Sequence, residues 1–413
     1  MITTILQETI VPRTKYLKKI ERFLGKPIIK VLSGMRRVGK SSLLKSTIQN
    51  LVTSGQYRSE DIFYLNKESY DWDHIRTYHD LMELFTLFEQ KIMHEKILVA
   101  IDEIQDIEEW ERFIRSIFSD KQSSIDIIIT GSNSTLLSGE LATFLTGRYV
   151  EFEIFPLDFE EYALFRNENI SDTLFLEYLR YGWLPGIIKM WRDEESVYEY
   201  LHGIYSTILL KDIVRHFGLR NVAFFEDLYR YLFSNIGSIF SAKSISDYLQ
   251  SQRIKLSPET ILTYLEYGQK AYLIHLAKAE NPATKKYFEI YNKYYISDIG
   301  LRNSLIGWNP WRDIGKVLEN FVYLELIRAG YSVRIGRLKN GKEVDFVAEK
   351  WGIIKYFQVT YKLAEETTIE REYSALESLN DHWEKYVISM DEMSFGVRNG
   401  IKHLRILDMK SVL

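Results

Sequence analysis

The amino-acid sequence predicts an α/β protein, in which a parallel-sheet core is followed by a helical middle segment and a small α/β module at the C-terminus. Between residues 28 and 155, short apolar runs alternate with helix-length segments, the pattern of a parallel sheet with helical crossovers. Between residues 157 and 240 the strand pattern disappears, and apolar residues recur at helical spacing. After residue 312 a helix leads into a second group of short strands.

Five apolar runs are the candidate strands of the core. Helix-length segments separate them, so each pair of consecutive strands is expected to be joined by a right-handed crossover. The runs are 28–32, 62–65, 97–101, 125–130 and 149–155.

Composition excludes several classes of site. The 413 residues include no cysteine, which excludes disulfides, thiolate metal sites and thiol nucleophiles. No apolar run reaches the roughly 18 residues that span a bilayer, and residues 1–13 lack the basic flank of a signal peptide, so we expect a cytoplasmic protein without a membrane partner. A net charge of −4 argues against a generally basic surface, so any nucleic-acid surface is expected to be local.

A phosphate-binding loop is the most specific motif in the sequence. Residues 34–41 match the pattern G-x-x-x-x-G-K-[ST] at every fixed position, between an apolar strand and a helix-forming segment. In that context, backbone N–H groups and a helix N-terminus face the phosphates of ATP. Lys40 is expected to reach the β- and γ-phosphates, and the Ser41 hydroxyl to bind Mg²⁺. The residues predicted to bind the nucleotide are Gly34, Met35, Arg36, Arg37, Val38, Gly39, Lys40, Ser41 and Ser42; a glycine-rich turn without a ligand is the alternative.

Two carboxylates follow the third apolar run. Asp102 is expected to hold the Mg²⁺ shell, and Glu103 to orient and deprotonate a water molecule. Many strands end in solvated acids, so the pair is a weak signal alone. Its position downstream of a phosphate loop favours the catalytic interpretation.

Three further residues are candidates for contact with the γ-phosphate. The fourth run ends in small polar residues, among which Asn133 or Ser132 is predicted to contact the γ-phosphate or the attacking water. A helix cap is an equally good interpretation of these residues. Arg148 is a candidate arginine finger, which needs a lid or a neighbouring subunit of a homo-oligomer; a surface arginine is the alternative.

These motifs together resemble those of prokaryotic AAA+-like ATPases that carry a C-terminal domain of unknown function. The resemblance implies an AAA+ core, a winged-helix segment and a C-terminal module similar to restriction endonucleases. It leaves the biological role open. The segments that carry it are 34–42, 101–105, 129–134, 145–149, 181–186 and 210–213.

Residues 236–308 have a winged-helix outline of two helices followed by a two-stranded ribbon. The second helix carries Glu259 and Glu266, which oppose contact with phosphate. The hairpins are the better candidates for DNA contact, and a structural or protein-binding role is the alternative. Their basic residues are Lys278, Lys285, Lys286, Arg334, Arg337, Lys339 and Lys342.

The C-terminal module has the residue order of a PD-(D/E)xK nuclease core. Glu319 on a helix, Asp345 on a strand and Gln358 on the next strand match the pattern, but Thr360 occupies the usual lysine position. Lys362 is a candidate substitute, because a strand over 353–361 would place it on the same face as Gln358. Gln358 is neutral where Mg²⁺ prefers a carboxylate. We therefore expect a degenerate site with weak or absent cleavage; an active nuclease and an unrelated sheet are the alternatives.

The predicted domains are an ATPase core at 1–156, a helical lid or linker at 157–235, a winged-helix-like domain at 236–308 and a nuclease-like domain at 309–413. The leading hypothesis is an ATP-driven switch or motor whose C-terminal half contacts nucleic acid. The alternative is a signalling ATPase that binds a protein partner.

Overall fold

The structure, a computed structural model, consists of two compact units. One comprises Met1–Asn169, Leu184–Ile188 and Lys270–Tyr272, and the other Ile170–Trp183, Lys189–Gln269 and Leu273–Leu413. None of the described helices is both long and apolar enough to cross a bilayer. The residues described are 2–92, 96–120, 124–134, 147–219, 221–251, 253–282, 284, 286–338 and 341–413.

The first unit contains a five-stranded sheet in the order β2-β3-β4-β1-β5, with every neighbouring pair parallel. The predicted parallel core is therefore confirmed. Its strands are β1 (Ile29–Ser33), β2 (Ile62–Asn66), β3 (Ile97–Asp102), β4 (Ile125–Thr130) and β5 (Tyr149–Glu153). Its helices are α1 (Ile2–Gln7), α2 (Thr14–Glu21), α3 (Lys40–Thr53), α4 (Tyr78–Glu89), α5 (Trp110–Asp120) and α6 (Phe159–Arg166).

The strand order brings the functional motifs together. β4 lies between β1 and β3, so the loops that follow these three strands leave the same edge of the sheet side by side. All residues of these three strands are buried, including the ion-paired Lys30 of β1 and Asp126 of β4. Burial on both faces explains why the strand sequences are mainly apolar rather than alternating. Ligands of open parallel sheets bind at such a carboxyl-terminal edge.

The second unit contains a nine-stranded sheet in the order β13-β14-β12-β11-β10-β9-β7-β8-β6. Its strands are β6 (Ile239–Phe240), β7 (Ile274–Asn281), β8 (Lys286–Ile296), β9 (Ser332–Arg337), β10 (Glu343–Lys350), β11 (Ile353–Val359), β12 (Glu384–Ser389), β13 (Val397–Arg398) and β14 (Ile401–Arg405). Its helices are α7 (Asp172–Tyr181), α8 (Glu194–Thr207), α9 (Val222–Ser234), α10 (Ala242–Ser251), α11 (Pro258–Lys270), α12 (Ile299–Ile306), α13 (Pro310–Arg328) and α14 (Glu366–Glu377), with a π-helical segment at Ile208–Arg215.

This sheet continues across residue 309, where the sequence analysis places a domain boundary. The two helices and the ribbon of the winged-helix outline are present as α10, α11, β7 and β8. However, β7 also pairs in parallel with β9, through Ala279 opposite Ile335. The ribbon and the nuclease-like strands thus share one sheet, a continuity that the sequence did not predict. The four domain ranges stay predictions.

The predicted strand over 353–361 ends earlier than expected. β11 stops at Val359, and Lys362 lies beyond it as an exposed residue whose ammonium is 5.5 Å from the Tyr361 ring centroid. The prediction that Lys362 shares a strand face with Gln358 is wrong, because the alternation of side chains applies only within the strand.

His275 on β7 predicts a pH dependence of stability in the second unit. Burial, assisted by the charge of Arg328, lowers the pKa of His275 to about 4, and its Nε2 lies 2.8 Å from the Ser297 hydroxyl oxygen. An unfolded histidine titrates near pH 6.5, so between these values the unfolded chain binds more protons and stability falls as the pH falls. From pH 7 to pH 5 this histidine should remove about 2 kcal/mol from the free energy of unfolding.

We therefore expect His275→Gln to lose less stability than wild type on acidification. Urea unfolding of the second unit at the two pH values measures the difference. A variant that loses as much stability as wild type would show that His275 is not the group responsible.

Candidate active site

The phosphate loop connects β1 to α3 through backbone conformations that require glycine. Gly34 has φ +132°, and a Cβ at this position would lie 2.4 Å from the Ile154 carbonyl oxygen. Gly39 has φ +99° and caps the N-terminus of α3. L side chains rarely adopt these angles, so both fixed glycines of the motif are explained by the path of the chain.

Lys40 is held inside the loop. Its side chain is buried, and its Nζ donates to the carbonyl oxygens of Gly34, at 2.8 Å, and Met35, at 3.1 Å. The same nitrogen lies 4.0 Å from Oε1 of Glu103. The ammonium is thus positioned between the loop and the acid that follows β3.

Thr130 is hydrogen-bonded to both acidic residues of the site, Asp102 and Glu103. Asp102 is the last residue of β3, and Glu103 follows it in the left-handed region with φ +54°. The Thr130 hydroxyl donates to Asp102 Oδ1 at 2.5 Å and accepts from the Glu103 backbone N–H at 2.9 Å. Thr130 is not among the site residues predicted from the sequence. A hydroxyl residue ending the strand beside the acidic strand was the available signal, but the strand order was needed to use it.

The two acids differ in their electrostatic environment. Burial raises the pKa of Asp102, against hydrogen bonds with Thr130 and Ser41 that lower it. Burial acts in the same direction on Glu103, but the Lys40 ammonium, the hydrogen bond from Gln105 and the charge of Arg36 together hold its pKa below the usual value. Glu103 is therefore an ionised carboxylate that can accept a proton.

Ser41 and Asp102 fit the role of Mg²⁺ ligands. They are hydrogen-bonded to each other, and Oδ2 of Asp102 is buried without a hydrogen-bond partner among the described residues. A buried carboxylate oxygen without a donor is a position that a hard cation would satisfy. Among the described residues no group of three His, Cys, Asp or Glu side chains could hold a metal. A nucleotide-associated Mg²⁺ needs only one or two protein ligands, because phosphate and water complete its shell.

The small polar residues after β4 lie in the same region. Ser132 and Asn133 are both buried, and Ser132 is hydrogen-bonded to the carboxylate of Glu103. The structure therefore brings Ser132 to the proposed base. Contact of Asn133 with a γ-phosphate stays a prediction.

Arg148 lies at the amino-terminal end of the parallel strands, whereas the phosphate loop follows their carboxyl-terminal end. Its carbonyl oxygen accepts from Ile29 N–H at 2.8 Å, so Arg148 is next to the start of β1, whereas Gly34 follows the end of that strand. The five residues of β1 separate these ends by about 13 Å. Arg148 is exposed, and its backbone lies at the end of β1 opposite to the phosphate loop. A finger role in a second copy stays a prediction, and residues 145 and 146 of its motif lie outside the described residues.

Two segments from later in the chain belong to the first unit and lie beside the loop. The Pro185 ring is 3.7 Å from the place where a Cβ of Gly39 would be. Tyr272 donates its hydroxyl to Glu151 at 2.9 Å, and the Ser33 hydroxyl donates to the same carboxylate. The sequence analysis noted the segment 181–186 only as part of the resemblance and did not single out Tyr272.

The candidate nuclease residues also meet, within the second unit. The Asp345 N–H donates to Gln358 Oε1 at 3.3 Å, and the charge of Glu319, after burial, raises the pKa of Asp345. Lys293 of β8, which the sequence analysis did not consider, lies 2.9 Å from Glu319. Lys362 does not join this group.

The basic hairpin residues are partly engaged in contacts within the protein. Arg334 forms ion pairs with Glu280, at 3.2 Å, and Glu349, and Lys342 donates to the Ser374 carbonyl oxygen at 3.2 Å. Lys278 is exposed. Lys285, Lys339 and the side chain of Lys286 lie outside the described part of the chain.

Comparison with known proteins defines the family. Residues 26–163 match the family model described as AAA domain, and residues 172–312 match a domain of unknown function, DUF8612. An uncharacterized protein of Haemophilus influenzae is 35% identical over 409 residues, which are 98% of this chain and 99% of that protein. An uncharacterized protein of Methanocaldococcus jannaschii is 33% identical over 371 residues, 84% of this chain and 78% of that protein. The chain belongs to the same protein family as these two relatives.

The AAA domain of this family member includes the phosphate loop, Asp102, Glu103, Asn133 and Arg148. Its N-terminal core is therefore a P-loop domain of the AAA type. Among solved structures, the Aeropyrum pernix Orc1 protein in complex with DNA aligns with 73% of this chain and 95% of that chain, at 13% identity and a TM-score of 0.33.

Proposed function

We propose that this protein binds ATP with Mg²⁺ and hydrolyses it at the site formed by the phosphate loop, Asp102 and Glu103. The observation that carries the proposal is the placement of Lys40 between the loop and Glu103, together with a buried oxygen of Asp102 that has no hydrogen-bond partner among the described residues. The AAA-domain match of residues 26–163 supports it.

The chemistry follows from the contacts. Lys40 exchanges its bonds to the loop carbonyls for oxygens of the β- and γ-phosphates. Ser41 and Asp102 would hold Mg²⁺, which would neutralise the charge of the phosphates. Glu103 accepts a proton from the water that attacks the γ-phosphorus, and the bond from that phosphorus to the β,γ-bridging oxygen breaks, so that ADP and phosphate leave. Thr130 accepts a hydrogen bond from the Glu103 backbone N–H and so positions this residue.

ATP with Mg²⁺ is expected to stabilise the first unit against unfolding. At about 100 times its Kd, a ligand that binds only the folded state adds about 2.7 kcal/mol to the free energy of unfolding. Urea unfolding with and without Mg-ATP measures this shift, with Lys40→Ala as the control that should lose most of it. An unshifted wild-type transition, or an equal shift in the control, would contradict nucleotide binding at this loop.

We further propose that ATP turnover acts as a switch for a macromolecular partner of the C-terminal half. Pro185 and Tyr272 lie beside the loop, and the segments that contain them continue in sequence into the second unit. A change at the nucleotide site could therefore affect the second unit through these two segments. The predicted partner is nucleic acid, with the exposed Lys278 as a candidate contact.

A protein partner is the second candidate, and two observations favour it. Arg334 is neutralised by Glu280 and Glu349, and the side chains of Trp311 and Trp351 are each 91% exposed. Titration with DNA at about 50 and 200 mM salt, with and without ATP, separates the candidates, because phosphate contacts weaken steeply with salt. DNA binding that weakens with salt supports a nucleic-acid partner. A lack of DNA binding even at low salt supports a protein partner.

A further inference from the structure

The nuclease-like centre holds a positive charge of its own. The resemblance to PD-(D/E)xK nucleases implies one or two divalent metals bound between Glu319 and Asp345. In this structure Nζ of Lys293 lies 2.9 Å from Glu319 Oε1 and 2.6 Å from Glu343 Oε1. The lysine side chain is only 5% exposed. An ammonium therefore neutralises Glu319, one of the two carboxylates that the metal would bind.

A tyrosine on the same strand face completes this arrangement. Tyr295 lies two residues along β8 from Lys293, so both side chains project from one face of the sheet. Its hydroxyl donates to Glu319 Oε1 at 2.6 Å, the same oxygen that Lys293 contacts. Glu319 is thus bound by two donors from the ribbon that precedes the nuclease-like strands.

The other candidate ligands, Asp345 and Gln358, also form hydrogen bonds with protein groups. Asp345 Oδ2 accepts from the Val359 N–H at 2.8 Å. Gln358 uses its oxygen for the Asp345 N–H and its Nε2 for Glu372 at 2.9 Å. A divalent metal here would have to displace these donors and tolerate a nearby ammonium of like sign. The residues around Glu319 and Asp345 therefore do not fit a divalent metal site.

The backbone closes one side of the centre. A Cβ at Gly237 would lie 3.1 Å from Glu319 Oε2, and Gly237 has φ +69°. Glycine at this position lets the segment before β6 approach the carboxylate closely. This close approach leaves little space beside Glu319 for a metal and its water ligands.

We propose that Lys293 is the resident cation of this centre and takes the place that the nuclease resemblance assigns to a divalent metal. Wild-type protein accordingly binds no Mg²⁺ or Mn²⁺ there and does not cleave DNA through it. The ion pairs of Lys293 with Glu319 and Glu343 instead connect β8 to α13 and β10. This inference is independent of the proposed ATPase activity, because it concerns residues of the second unit only.

Mn²⁺ binding to the full-length protein without nucleotide tests the inference. Titration followed by electron paramagnetic resonance counts the bound ions, and any ion at Ser41 and Asp102 is common to all variants. Lys293→Ala is expected to bind about one more Mn²⁺ per chain than wild type. That ion should disappear in Lys293→Ala/Asp345→Asn, and the matched control Lys293→Arg, which keeps the charge, should not gain it.

The comparison of wild type with Asp345→Asn holds even if Lys293→Ala does not fold. Equal Mn²⁺ counts for these two proteins support the proposal, whereas an ion lost in Asp345→Asn overturns it. A folded Lys293→Ala, judged by circular dichroism, that gains no ion also overturns it. Mg²⁺-dependent plasmid cleavage by wild type that is lost in Asp345→Asn would do the same.

Discussion

Replacing Glu103 by Gln is expected to stop ATP turnover while leaving ATP binding nearly unchanged. The Lys40 ammonium keeps Glu103 ionised despite its burial, and glutamine has the same shape without the proton-accepting charge. A positioned general base contributes about 10²- to 10⁴-fold, so kcat should fall by at least about 100-fold. Phosphate release gives kcat, and an equilibrium titration with ATP gives the Kd.

Glu108→Gln is the matched control for this variant. Glu108 lies in the same stretch of chain, but its side chain is exposed. Its replacement should leave both kcat and the Kd at wild-type values. Turnover at the wild-type rate in Glu103→Gln would show that another group is the base.

Replacing Lys40 by Ala is expected to weaken ATP binding as well as turnover. The ammonium is positioned by the Gly34 and Met35 carbonyls, so its loss removes a preorganised cation at the phosphate position. Hydrogen bonds to charged groups contribute about 1.5–3 kcal/mol, which corresponds to a Kd raised by about 10- to 100-fold. The lost charge also removes the main cause that lowers the pKa of Glu103.

Lys45→Ala provides the comparison within the same helix. Lys45 pairs with Glu8 at 2.7 Å and is partly exposed, so its loss should leave ATP binding unchanged. A Kd of Lys40→Ala equal to that of wild type would contradict the placement of Lys40 at the phosphates. The two lysine variants thus separate a local role from a general effect of charge on α3.

The parts of the site that depend on local sequence could be predicted. The conformations of Gly34 and Gly39 follow from the loop between one strand and one helix, and the continuous apolar runs identify buried parallel strands. Asp102 and Glu103 were recognised for the same reason, since they directly follow such a run. Each of these features is encoded within about ten neighbouring residues.

The features that the sequence did not predict depend on which strands become neighbours. Thr130 acts on Asp102 only because β4 lies beside β3, and Lys293 reaches Glu319 only through the placement of β8 in the nine-stranded sheet. Lys362 was predicted to share a strand face with Gln358, but β11 ends before it. Strand order is set by contacts between segments that are distant in the sequence, and local sequence patterns do not reveal which distant segments meet.

Steady-state phosphate release from ATP by the purified wild-type protein, with Mg²⁺ and then with excess EDTA, tests the central claim most directly. The account predicts release that requires Mg²⁺ and falls by at least about 100-fold in Glu103→Gln measured in parallel. Release that persists in EDTA, or that is the same in Glu103→Gln as in wild type, would contradict the assignment of this site as a Mg²⁺-dependent ATPase centre.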